Sequence, residues 1–145
     1  CSEIQSRKYY DLKMPSIFFI FFSGEIPCYK IKEDDDFIAF LDIMPIAIGH
    51  VLVVPKIEVD KIFDISDDVL SKALVFAKPI AKALESSFDC KRCGISVIGI
   101  EVPHAHIHLV PIQSADDLNF TREKMSLSGE ELKKIQETIL HALQH

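Results

Sequence analysis

The run His104-Ala105-His106-Ile107-His108-Leu109-Val110 places three imidazoles at every second position, with apolar residues between and after them. In extended backbone, alternate side chains share a face. The spacing therefore predicts a strand over 106–110, with His104, His106 and His108 projecting together and Ala105, Ile107 and Leu109 facing a core. Buried polar rings need partners, so three in a row are a costly way to fill a core. The row is assigned to chemistry rather than to packing. Neutral imidazoles at this spacing can ligate zinc, with His50 or the Cys90/Cys93 pair as a more distant ligand. Equally, one imidazole can attack phosphorus while its neighbours position it and bind phosphate oxygens. Spacing alone leaves both open.

Outward from the triad, the pattern alternates between strands and helices. Tyr29–Lys32 and Phe37–Leu41 read as strands joined by the acidic turn Glu33-Asp34-Asp35-Asp36. Val51–Val54 is a third strand stopped by Pro55, and Ile95–Ile100 a fourth, before the triad strand. Ser16 can cap a short helix over Ile17–Phe22. Ser66, followed by Asp67 and Asp68, starts a longer helix with acidic groups at the positive end of its dipole. Leu70, Leu74, Ala77, Ala81, Leu84 and Phe88 recur along that helix as an apolar stripe, and Pro79 inside it predicts a kink near Val75. Ser128-Gly129-Glu130-Glu131 has the form of a capping box, opening a last helix with Leu132, Ile135, Ile139 and Leu143 on one face. Strands without long crossovers imply an antiparallel five-stranded sheet with two main helices packed on it, an α+β fold. Residues 1–14 are polar and aperiodic and read as a flexible N-terminal extension; 15–145 form one domain.

Composition narrows the partners. The 145 residues carry a net charge of −6 and no basic tract interleaved with aromatics, which argues against long DNA or RNA. The longest apolar run, Ile17–Phe22, is six residues, against about 20 for a membrane helix. Four unevenly spaced cysteines do not form a disulfide framework, and no secretory signal pattern is visible, so a reducing, cytoplasmic setting is expected. The chain starts at Cys1; a processed lipoprotein also starts at cysteine, but an upstream-extended reading frame is the plainer expectation.

The triad run resembles the His-φ-His-φ-His-φ-φ signature of the histidine triad superfamily, where φ is apolar, and its Hint-like branch of nucleotide-binding hydrolases in particular. Four more segments resemble the same family in the same order: Ile17-Phe18, Gly24-Glu25-Ile26-Pro27, Phe40-Leu41-Asp42-Ile43-Met44-Pro45 and Gly49-His50-Val51-Leu52-Val53-Val54-Pro55-Lys56. The resemblance spans about residues 15–111. It implies a homodimeric enzyme that cleaves at the α-phosphate of a purine nucleoside phosphoramidate or related phosphoester through a covalent nucleotidyl-histidine; for this chain no cofactor and no metal are expected. On that pattern His106 is the nucleophile, and the His104 carbonyl holds the proton on its far ring nitrogen. His108 and His50 donate to phosphate oxygens, Asp42 accepts from the ribose hydroxyls, and Ile17, Phe18, Phe40 and Ile43 wall the base. Related outcomes within the family are dinucleoside polyphosphate hydrolysis, nucleotidyl transfer, or nucleotide binding with little turnover.

The chain also departs from the family pattern. Ser16-Ile17-Phe18-Phe19 lacks the Cys-x-x-Cys that helps many relatives hold a structural zinc. Cys90-Lys91-Arg92-Cys93 lies elsewhere without a second pair and reads as ordinary thiols. Gly99-Ile100-Glu101 stands where Gly-Gln-Ser or Gly-Gln-Thr is common, so Glu101 puts a carboxylate in place of a hydroxyl near the phosphate. Glu101 then either repels the substrate or, if protonated, donates to the leaving group.

Overall fold

The computed structural model describes residues 29–100 and 102–144. The N-terminal extension, the helix expected over Ile17–Phe22, the base-wall residues Ile17 and Phe18, and Glu101 all lie outside the described residues. Five strands, β1 (Lys30–Glu33), β2 (Phe37–Leu41), β3 (Val51–Pro55), β4 (Arg92–Ser96) and β5 (Ile107–Ile112), form one antiparallel sheet in the order β1-β2-β3-β5-β4. Two long helices, α1 (Asp67–Ser87) and α2 (Gly129–Leu143), accompany it, so the expected α+β fold is the observed one.

Period-two patterning explains the two faces of the sheet. Phe37, Ala39 and Leu41 of β2, Val51 and Val53 of β3, and Ile107 and Leu109 of β5 pack with both helices into the main core. Ile38, Phe40, Leu52 and Val54 point the other way and form a second, smaller cluster. Register then sets Phe40 opposite Leu52, and Leu52 opposite His108. An apolar row from β2 and β3 therefore leads directly to the last triad histidine.

Both helices begin where their caps predict. The Ser66 hydroxyl accepts from the Val69 N–H and the Ser128 hydroxyl from the Glu131 N–H, satisfying donors that a helix start leaves open. The buried side of α1 differs from the expected stripe. Val69, Ala73, Phe76, Ala77, Ile80, Ala83 and Leu84 are buried, whereas Leu74 and Val75 are 61% and 70% exposed. The helix is turned so that Phe76 stacks near Phe37, with ring centroids 5.4 Å apart. Pro79 lies on the exposed side, where water can satisfy the Val75 carbonyl that loses its helical donor.

β4 also departs from expectation, occupying 92–96 rather than 95–100. Its pairing with β5 sets Gly94 opposite Val110, and a Cβ at Gly94 would come within 2.9 Å of Ile112 and Leu118. Beyond Ser96 the chain leaves the sheet, and Gly99 takes φ +64°, which ends any extended run. Among the described residues, no helix is long and apolar enough to cross a membrane.

Candidate active site

Only His108 of the three triad histidines lies within β5, so they are not three rungs of one strand. The backbone just before β5 leaves the ladder: the His104 N–H reaches Val102 O at 2.8 Å, and the Ala105 N–H reaches Val59 O at 2.7 Å. This turns His104 away from its neighbours. Its ring is fully buried, and Nε2 donates to Pro55 O at 2.8 Å. His104 therefore ties β5 to the end of β3. His106 and His108 remain adjacent, with ring centroids 4.8 Å apart.

The tautomers follow from partners that can act in only one way. A carbonyl oxygen cannot donate, so His106 Nδ1, 2.7 Å from His104 O, carries the proton and leaves Nε2 unprotonated. The Ile46 N–H donates to His50 Nδ1 at 3.3 Å, so the His50 proton is on Nε2. His50 Nε2 in turn lies 2.9 Å from His108 Nδ1 and donates to it, which places the His108 proton on its own Nε2. A directed chain thus runs Ile46 N–H, His50, His108. His50 was expected to donate directly to phosphate; in the structure its Nε2 proton is directed at His108.

Burial supports neutral rings throughout. His50, His104, His106 and His108 all have pKa values below the ordinary histidine range, in each case mainly because burial disfavours the cation. For His108 the value falls to about 3, with neighbouring His106 and Lys124 adding to the effect.

The loop from Asp42 to His50 carries the next groups. Asp42 Oδ1 accepts from the Met44 N–H at 2.9 Å, capping its own turn, and Oδ2 stands 3.7 Å from His50 Nδ1. Burial raises the Asp42 carboxyl to about 6, against the opposing pull of the Met44 N–H and Lys124. Gly49 makes this loop possible. It has φ +92°, and a Cβ there would lie 2.8 Å from the Phe88 ring. Phe40 is buried on the same sheet face as His108, whereas half-buried Ile43 packs against the helix-side core.

Two groups near the histidines carry no signal in the sequence. The Phe120 ring lies 4.5 Å from that of His108 and 5.9 Å from that of His50. Lys124 acts electrostatically on Asp42, His50 and His108 alike. Both come from an irregular segment after β5, where no periodicity points to them; a lone aromatic within the polar stretch 113–124 is the one available hint.

Asp42, His50 and His108 place potential ligand atoms within 4.8 Å of one another. Their bonding argues against a metal. His50 Nδ1 already accepts a backbone N–H, and its Nε2 is hydrogen-bonded to His108 at 2.9 Å. Two nitrogens on one tetrahedral zinc, each about 2.0–2.1 Å from it, stand about 3.3 Å apart. Cys90 and Cys93 are free thiols; burial and the Glu85 carboxylate push Cys93 up to about 12, so it stays protonated and a poor ligand.

Comparison with known proteins places this geometry. Residues 23–115 match the HIT domain. An uncharacterized HIT-like protein of Borreliella burgdorferi is 34% identical over 127 residues, covering 82% of this chain and 91% of that one. An adenosine 5′-monophosphoramidase of Schizosaccharomyces pombe is 31% identical over 128 residues, covering 87% and 96% of the two chains. The crystal structure of a Hit-like protein from Bartonella henselae superposes with a TM-score of 0.76 at 30% identity, covering 88% of this chain and 95% of that one.

Proposed function

Because the chain belongs to the HIT domain family and its relatives include adenosine 5′-monophosphoramidases, which supports a nucleotide hydrolase, we propose that it cleaves purine nucleoside phosphoramidates, or related phosphoesters, at the α-phosphate through a covalent nucleotidyl-His106 intermediate. The observation that carries this reading is the 2.7 Å contact from His106 Nδ1 to His104 O. It holds the proton on the far nitrogen and keeps Nε2 neutral and nucleophilic, as a third group orients the base in other triads.

Attack by Nε2 on phosphorus forms an N–P bond as the bond to the leaving group breaks. His108 Nε2–H then faces the negative charge that grows on the phosphoryl oxygens, and His50 stabilises that polarity from behind. Water next displaces His106, releasing the nucleoside monophosphate. On this reading Asp42 Oδ2 accepts from a ribose hydroxyl, and Phe40, buried on the sheet face that carries His108, backs the apolar side of the base. A panel of adenosine phosphoramidates and diadenosine polyphosphates, with product detection, tests the reading. Release of AMP from the phosphoramidates at the higher kcat/KM is expected. AMP binding without turnover of any member would leave a nucleotide-binding module instead.

The same reading includes a homodimer. β4 is an edge strand with Ile95 half exposed, Val97 just beyond it is equally so, and α1, which packs beside it, presents Leu74 and Val75 to solvent. A second copy related by a two-fold axis would cover the strand edge and both apolar groups together. Sedimentation at micromolar concentration is expected to give twice the 16.4 kDa chain mass; a monomer would refute the dimer.

A further inference from the structure

The proposed chemistry has an electrostatic gap. A nucleotide phosphate is anionic, yet the tautomers leave the histidines neutral, and the chain carries a net charge of −6. The segment after β5 supplies what is missing. Residues 119–125 form a strap beside the histidine cluster, held at both ends. At one end the half-buried Phe120 ring rests on His108 and His50. At the other, the Met125 N–H donates to Pro45 O at 2.8 Å, which fastens the strap to the loop that begins at Asp42.

Between these anchors are two cations. The Arg122 guanidinium is engaged within the strap's own base, donating to Asp117 Oδ1 at 3.1 Å and Asp116 O at 3.3 Å. Lys124 is exposed, and among the described residues no carboxylate lies within ion-pairing distance of its ammonium. It sits one residue from the anchor on Pro45, and its charge is felt at Asp42, His50 and His108, the three groups that bracket the proposed ribose and phosphate positions.

We propose that Lys124 is the phosphate-binding cation of this site, and that Phe120 and the Met125–Pro45 bond hold the strap so that its ammonium meets the phosphoryl oxygens beside His108. Lys124 thereby selects for a nucleoside bearing a 5′-phosphate over the uncharged nucleoside. A compact ammonium on a flexible stem suits a phosphate that changes geometry during transfer, and it acts as a point charge without needing a fixed bidentate angle. The inference rests on the nucleotide reading above, and the test separates the two.

Adenosine and AMP binding are measured by calorimetry on the full chain for wild type, Lys124→Gln and Lys124→Arg. Lys124→Gln is expected to weaken AMP binding by about tenfold and to flatten its dependence on salt, with adenosine affinity unchanged; Lys124→Arg should restore most of the loss. Wild type that prefers AMP to adenosine, with Lys124→Gln doing so equally, would overturn the role of Lys124 and leave the proposed function standing. Equal losses for AMP and adenosine would make the residue structural and also overturn it. Wild type that binds AMP no better than adenosine would overturn both readings at once.

Discussion

His106→Asn is expected to lower turnover of adenosine phosphoramidates by at least about a thousandfold, as removal of a nucleophile does, while AMP still binds. The substitution is chosen for its geometry. An asparagine amide N–H can keep the bond that His106 Nδ1 makes to His104 O, so the backbone before β5 has no reason to move. The variant lacks the unprotonated nitrogen at the Nε2 position, and with it the means of forming an N–P bond. Acid-quenched wild type should carry protein of mass increased by one nucleotidyl group, absent from the variant. Ordinary turnover by His106→Asn would remove His106 from the mechanism. Activity abolished by chelators and restored by zinc would favour a metal at Asp42, His50 and His108 instead.

Acidification from pH 7 to pH 5.5 is expected to destabilise the fold by an amount on the order of a few kcal/mol, since each proton that the unfolded chain binds in excess contributes about 1.4 kcal/mol per pH unit. His50, His104, His106 and His108 are held below the ordinary histidine range in the folded chain. The unfolded chain regains normal imidazoles and binds protons as pH falls below about 6.5. These four rings therefore stabilise the fold fully above that pH and progressively less beneath it. Asp42 works in the opposite sense. Its folded value of about 6 lies above its unfolded one, so the folded chain takes up that proton first and gains stability on acidification. Four imidazole protons against one carboxyl proton leave the balance with the histidines. Urea midpoints measured between pH 7 and pH 5.5 should fall steadily, and Asp42→Asn should make the fall steeper by removing the opposing contribution. Midpoints that stay level across this range would mean that the imidazoles accept protons without cost in the folded state.

Much of this site was legible along the chain because its parts are local. The His-x-His-x-His run identified the histidines, and the loop Asp42–His50 carried its own signals in Asp42, Pro45 and Gly49. β2 was readable to the residue from Phe37 to Leu41, and both helix starts from the serines that cap them. What could not be read was any property that depends on a partner far away in sequence. The tautomer of His108 depends on His50, 58 residues earlier. The orientation of His104 depends on a carbonyl at Pro55, 49 residues earlier.

The sequence by itself determined the fold class, the approximate order of strands and helices, and the juxtaposition of His106 and His108, because hydrophobic period, capping residues and motif spacing act over a few residues at a time. The tertiary structure decided which side of α1 is buried, where β4 begins and ends, and which partner each imidazole bonds. Leu74 and Ala73 are equally consistent with a helical stripe until Phe76 meets Phe37 across the core and sets the rotation. β4 takes its limits from its pairing with β5, which runs from Arg92 opposite Ile112 to Ser96 opposite His108. Phe120 meets His108, and Met125 next to Lys124 bonds to Pro45, through contacts made across the folded chain, where short-range pattern carries no information.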